Sequence, residues 1–278
     1  MWASAMPLVH VEDIADERLD DYRSVPDPEL LKERGVFVAE GRLVVRALLA
    51  GGRFAVRSLL VTSAALEAMR DLINPAATPL PVYLGTKELM SRVIGFNVHR
   101  GCLGIGERPA PVTLDGVIPA GNSRSLVLAL ESIANADNVG GIFRNSVAFG
   151  ADAVLLAPGC ADPLYRKTIR VSIGGSLTVP FARLPDWPSD LSRLQNRGYA
   201  IIALTPNRGA IDIGEFACSP DLSPRIVLLV GSEGGGLTKQ ALASADVRVR
   251  IPMVSGVDSL NVATAVGIAL HRLTDEAA

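Results

Sequence analysis

Ile251-Pro252-Met253-Val254-Ser255-Gly256-Val257-Asp258-Ser259-Leu260-Asn261-Val262-Ala263-Thr264-Ala265 is the stretch that decides how this chain reads. It opens as the apolar end of a strand, passes through a loop of small and polar residues, and continues as an Ala-rich helix to His271. A bare strand-to-helix connection has no use for Ser-Leu-Asn at its close. Ser259 is placed to cap the following helix, and Asn261 brings an amide with donor and acceptor atoms into its first turn. Backbone amides and two polar side chains at a helix start can hold an anionic or polar ligand. For this stretch by itself, a capped helix without a ligand is the simpler alternative.

Two further stretches share the form. Asn138-Val139-Gly140-Gly141-Ile142-Phe143-Arg144-Asn145-Ser146 follows the apolar run Leu126 to Leu130 and enters a helix. Leu228-Leu229-Val230-Gly231-Ser232-Glu233-Gly234-Gly235-Gly236-Leu237 follows another apolar run. All three are strand ends passing into polar or Gly-rich loops. In order and spacing they resemble the signature motifs of the SpoU/TrmH class of the SPOUT methyltransferases: N-x-G-x-x-x-R, then G-S-E-G-x-G, then I-P-M followed by S-L-N-V. The resemblance runs from about Leu126 to the C-terminus.

The chain has 278 residues, 49% of them hydrophobic, enough for a buried core in one large domain or two ordinary ones. Aromatics at 5% argue against a stacking platform for single-stranded nucleic acid, which needs exposed rings. A net charge of −2 argues against nucleic-acid binding over the whole surface and leaves room for a local basic face. Residues 1–30 hold eight acids and two arginines, whereas residues 31–110 hold eleven basic and six acidic residues. That distribution suggests a basic N-terminal module behind an acidic leader, with ordinary solvated helix faces as the alternative. Cys102, Cys160 and Cys218 are as scattered as His10, His99 and His271, so neither a metal site nor a disulfide framework is expected. The acidic N-terminus lacks the basic start and apolar core of a signal peptide, and no apolar run reaches a membrane span. The expected setting is cytoplasmic and reducing.

Residues 1–25 read as a polar, acidic leader. Residues 26–106 read as a small α/β domain: a helix opened by Asp27 and Pro28, a strand at 35–41, a helix ended by Gly51-Gly52, a strand at 56–61, a helix at 66–72, a strand at 81–84, a helix capped by Thr86, and a strand near 98–106. V-F-V-A-E-G-R, V-R-S-L-L-V and T-K-E-L-M in this part resemble the RNA-recognition domain, related to ribosomal protein L30e, that precedes many SpoU-type catalytic domains. Residues 107–124 are turn-rich and read as a linker. In residues 125–278, strands at 126–130, 153–156, 177–181, 200–204, 226–230 and 247–251 alternate with helices at 138–149, 163–172, 187–197, 238–244 and 259–272. This is the pattern of a mainly parallel α/β sheet.

The SPOUT resemblance implies a deep trefoil knot in the parallel-sheet domain, S-adenosylmethionine as methyl donor, a homodimer, and RNA as substrate. The L30e-like part favours rRNA over tRNA. Arg144, in the first motif, corresponds to the residue the family is usually described as using in catalysis. A guanidinium keeps its charge, so the physical role that suits it is a clamp on the target phosphate and hydroxyl. Asn138 is expected to orient Arg144 or the ribose, or to cap its helix. Glu233 is expected to hold Arg144 or Asn138. Ser259 and Asn261 are placed near the donor carboxylate or the target ribose. Leu204, Thr205, Gly231, Leu237, Ile251, Met253 and Leu260 are expected to contact the donor.

The function expected is therefore ribose 2′-O-methylation of RNA. A tRNA methyltransferase and a catalytically silent RNA-binding homologue are the alternatives. A nucleotide-dependent dehydrogenase is a third class, opposed by the missing G-x-G-x-x-G after an early strand. Arg166, Lys167 and Arg170 form a basic helix face, either simply solvated or in contact with RNA phosphates.

Overall fold

The computed structural model describes residues 8–23, 26–73, 80–95, 101–121, 124–220, 222–257 and 259–274. Residues 1–7, His99, Arg100 and Asp258, which entered the sequence reading, lie outside them. The elements begin with β1 (Leu8–His10), a 3-10 helix (Glu17–Tyr22), α1 (Asp27–Lys32), β2 (Val36–Glu40), α2 (Arg42–Gly51), β3 (Val56–Val61) and α3 (Ser63–Glu67). They continue with β4 (Val82–Leu84), α4 (Lys87–Ile94), β5 (Cys102–Glu107), α5 (Leu114–Val117), β6 (Ser125–Glu131), α6 (Ala136–Ala148), β7 (Ala153–Leu156), α7 (Arg166–Val171), α8 (Gly175–Thr178) and β8 (Phe181–Arg183). The last are α9 (Asp190–Gln195), β9 (Ala200–Leu204), β10 (Ile211–Asp212), α10 (Ile213–Ala217), β11 (Arg225–Gly231), α11 (Lys239–Ala243), β12 (Val247–Arg250) and α12 (Val262–Thr274).

Contacts divide the chain into two compact units. The first comprises Met1–Ala110 with Leu164–Thr178, and the second Pro111–Pro163 with Val179–Ala278. Segment 164–178, which the sequence reading put in the second domain, packs with the first. Unit 1 is built on a mixed sheet in the order β1-β4-β3-β5-β2. The stretch read as a polar leader is part of this fold. β1 pairs in parallel with β4, and Leu19 and Tyr22 are fully buried in the same core as Val38, Leu60 and Leu103. Apolar residues at 8, 9, 11, 14, 19 and 22 lie between the acids, and these determine where the segment goes. Thr86 caps α4, accepting from the Leu89 N–H at 3.1 Å. The third helix runs over 63–67 instead of 66–72, because Thr62 accepts from the Ala65 N–H and starts it earlier.

Unit 2 carries a seven-stranded sheet in the order β10-β12-β9-β11-β6-β7-β8, with every pairing parallel. All seven residues of β6 and six of β11 are buried, as strands covered on both faces must be. This is the mixed α/β, parallel-sheet fold expected. It departs from expectation at 177–181, where α8 occupies 175–178 and the strand begins only at Phe181. Ser172 starts that turn: its hydroxyl bonds the Ser176 N–H at 3.2 Å, and Gly174 takes a left-handed φ of 82°. The stretch read as a linker contains α5, whose Leu114 and Val117 enter the core of unit 2.

Candidate active site

In an open parallel sheet, ligands gather at the carboxyl ends of strands where the chain order reverses. In unit 2 those ends belong to β6, β9, β11 and β12, and the three motifs found in the sequence follow β6, β11 and β12. Two glycines let the loop after β11 fold back on its own strand. Gly234 and Gly236 have φ of 82° and 64°, a region open to glycine at little cost. The Gly236 N–H bonds Ser232 O at 2.9 Å. A Cβ on Gly231 would lie 2.2 Å from the Gly236 carbonyl carbon, so the close approach requires glycine there too.

Helices α6 and α12 pack closely. A Cβ on Gly141 would sit 2.8 Å from the Ala263 methyl, and Asn145 Nδ2 donates to Ala263 O at 2.7 Å. This packing brings the first and third motifs together. Asn261 Nδ2 donates to Asn138 Oδ1 at 2.9 Å and to Glu233 Oε1 at 2.8 Å. Its Oδ1 accepts the Ala263 and Thr264 N–H groups at 3.0 and 3.2 Å. Asn261 is therefore the cap of α12, not Ser259, and the helix starts at Val262. One amide both closes a helix end and joins all three motifs. The cap of α6 is Asn135, which accepts the Asp137 N–H at 2.8 Å, and Asn138 is buried inside the helix. Glu233 meets Asn261 instead of Arg144.

Arg144 lies six residues after Asn138, about 9 Å along the helix axis. It is exposed, with no hydrogen bond or ion pair among the described residues. Asp152, just before β7, is engaged with the Ser125 hydroxyl and the Leu126 N–H and not with Arg144.

A cavity of about 510 Å³ opens between the loops. Leu204, Thr205, Gly231, Leu237, Ile251, Met253 and Leu260 all line it, as do Glu233, Ser259 and the glycines of the loop after β11. A lining of glycine main chain and aliphatic side chains suits a flat heterocycle such as the adenine of an adenosyl group, so the residues present fit such a donor. Among the described residues no three His, Cys, Asp or Glu side chains cluster as metal ligands. Burial pushes the Cys102 thiol up to about 12, and raises the Cys160 thiol too.

Sequence reading missed Glu131, the last residue of β6, only 2% exposed and paired in register with Gly231. Its Oε1 accepts Trp187 Nε1–H at 2.6 Å and the Thr238 hydroxyl at 2.9 Å, and its Oε2 accepts the Thr238 N–H at 2.8 Å. Thr238 follows Leu237, so Glu131 fastens the exit of the glycine loop that walls the cavity. The signal in the sequence is an acid closing an otherwise apolar strand.

Residues 125–271 match the SpoU rRNA Methylase family. An uncharacterised tRNA/rRNA methyltransferase of Mycobacterium tuberculosis (strain ATCC 25618 / H37Rv) is 41% identical over 271 residues, which cover 95% of this chain and 92% of that protein. The 23S rRNA (guanosine-2'-O-)-methyltransferase RlmB of Ralstonia nicotianae is 27% identical over 206 residues, 73% of this chain and 81% of its own. Among solved structures, the AdoMet-bound rRNA methyltransferase from Sinorhizobium meliloti aligns with a TM-score of 0.81 and 25% identity, covering 97% of this chain and 98% of its own.

Proposed function

This chain belongs to the SpoU rRNA Methylase family as an RNA methyltransferase of the SpoU/TrmH type, and we propose that it methylates a ribose 2′-hydroxyl of ribosomal RNA using S-adenosylmethionine. The observation that carries the reading is the Asn261 amide, which ties Asn138 and Glu233 to the rim of one cavity lined by all the residues assigned to the donor. The donor supplies a methyl group on a sulfonium centre. Leu204, Thr205, Gly231, Leu237, Ile251, Met253 and Leu260 hold its adenosyl part by main-chain and apolar contact. The 2′-hydroxyl is a weak nucleophile that must be aligned and must lose its proton as its oxygen attacks. Arg144 clamps that hydroxyl and the adjoining phosphate, for which an exposed guanidinium with no ion pair suits. Asn138, Glu233, Ser259 and Asn261 fix the rim against which the ribose rests.

The same proposal takes unit 1 as an L30e-like RNA-recognition domain, the chain as a cytoplasmic homodimer, and α12 as threaded in a trefoil knot. The test incubates the full chain with unmodified 23S rRNA and tRNA transcripts and methyl-labelled donor, then digests the RNA to nucleosides. Label in a 2′-O-methyl nucleoside from the 23S transcript is expected. Label on a base would end the ribose assignment, and label in tRNA alone would move the substrate.

A further inference from the structure

A second concavity, of about 250 Å³, lies beside the donor cavity; Pro206, Ile251 and Met253 line both. The two are neighbouring parts of one recess at the ends of β9 and β12. Arg208 and Arg250 both line the smaller part, together with Ser255, and no carboxylate lines it among the described residues. Arg250 Nε donates to Ala210 O at 3.2 Å, which steadies the fork by one edge and leaves its terminal nitrogens for another partner. Arg208 is exposed and, among the described residues, holds no hydrogen bond or ion pair. Two guanidinium groups in one concavity repel each other, and an anion between them removes that cost.

We propose that Arg208 and Arg250 form an anion subsite that takes a backbone phosphate of the RNA beside the nucleotide being methylated. The proposal rests on the reading of the larger cavity as the donor site of an RNA methyltransferase. A phosphate is the anion favoured, because Arg208 is exposed to a polymer in solvent, and because every nucleotide neighbouring the target brings one. The donor also carries a carboxylate, and the test separates the two sources.

The test uses the full chain with Arg208→Gln, Arg250→Gln and the double substitution. Each is titrated with an unmodified 23S rRNA transcript at two salt concentrations, and with S-adenosylhomocysteine by calorimetry. Each lost arginine should weaken RNA binding several-fold at low salt and flatten the dependence of log K on log salt by roughly 0.7, the value for one contact to single-stranded RNA. S-adenosylhomocysteine affinity should stay within about twofold. Arg208→Lys should restore the salt dependence, since a point charge serves a single phosphate. Arg208 makes no hydrogen bond or ion pair among the described residues, so its variant remains informative if Arg250→Gln proves unstable. Unchanged RNA affinity and salt dependence in Arg208→Gln would overturn the subsite. So would a tenfold loss of S-adenosylhomocysteine affinity with RNA binding intact, which assigns the arginines to the donor carboxylate. A wild-type chain that methylates the transcript while the double variant keeps its salt dependence sinks the subsite alone. A wild-type chain that binds no RNA sinks it together with the functional reading.

Discussion

Five arginines of unit 1 and two of unit 2, Arg144 and Arg208, are engaged differently. In unit 1, Arg18 meets Asp16, Arg23 meets Asp20, Arg34 meets Asp21 and Glu29, Arg57 meets Asp21 and Glu107, and Arg46 meets Asp71. In unit 2, Arg144 and Arg208 are exposed with no ion pair among the described residues. Arg34 and Arg57 of the basic block pair with Asp21 and Glu29 of the acidic block, while the other pairs named form within one block or the other. A segment's net charge counts residues. A phosphate meets only the charges that remain unpaired.

The sharpest way to break this comparison is to delete residues 1–22. A detachable acidic screen would leave behind a fold with freer arginines and tighter RNA binding. The structure instead predicts collapse of unit 1. Leu19 and Tyr22 are 0% exposed, and the Tyr22 hydroxyl lies 2.7 Å from Ser58 Oγ in the core. Burying each of these side chains is worth about 1.5–3 kcal/mol, a large part of a domain's net stability. Thermal melting and limited proteolysis should show an unfolded or readily cut N-terminal unit. An unchanged melting temperature would restore the detachable leader.

Next in size is Arg144→Ala. Loss of a group that acts on charge developing at the reacting atoms costs about 10²–10³-fold in rate. We expect at least that loss of single-turnover methyl transfer, with S-adenosylhomocysteine affinity and melting temperature unchanged, because Arg144 neither lines the cavity nor, among the described residues, makes a hydrogen bond or ion pair. Arg144→Lys should fail as well, lacking the planar fork. Near-normal transfer in either variant would remove Arg144 from the site.

Much of unit 2 was legible because its strands are apolar runs ended by glycine or polar motifs, and most residues expected to contact a donor, which line the larger cavity, were read from the same motifs, with Leu204 and Thr205 read from the end of β9. What escaped depends on contacts distant in sequence. Asn261, not Ser259, caps α12, because its amide is held by Asn138 from α6 and by Glu233 from the loop after β11. Glu131 was invisible as a site residue because Trp187 and Thr238 reach it from 56 and 107 residues away. The leader was misread for a related reason: its acids dominate composition, while Leu19 and Tyr22, two residues among many, decide its packing.

Glu131→Gln tests that missed contact. A carboxylate accepts at both oxygens, whereas an amide must turn a donor toward Trp187 Nε1–H or the Thr238 N–H. One buried bond is then lost, at about 1–3 kcal/mol. The glycine loop loosens, so S-adenosylhomocysteine affinity should fall roughly tenfold. Glu131→Asp keeps an acceptor and should recover part of the affinity. A drop in melting temperature with donor affinity unchanged would limit Glu131 to a structural role.

The smallest expected effect is Arg57→Ala, and it sharpens the comparison most directly. Arg57 bonds Asp21 at 2.9 Å and Glu107 at 3.2 Å, but its side chain is 42% exposed. Burial lowers its pKa and the two carboxylates raise it, for a net rise. An exposed pair of this kind contributes about 0–1 kcal/mol, since water and salt screen it. Melting should therefore change little. The salt dependence of RNA binding should not change, because the charge removed was already balanced by two acids, whereas Arg208→Gln should flatten it. Equal flattening by both substitutions would mean that paired arginines of unit 1 reach phosphate after all, with RNA displacing Asp21 and Glu107, and that the two regions differ less in use than in their resting contacts.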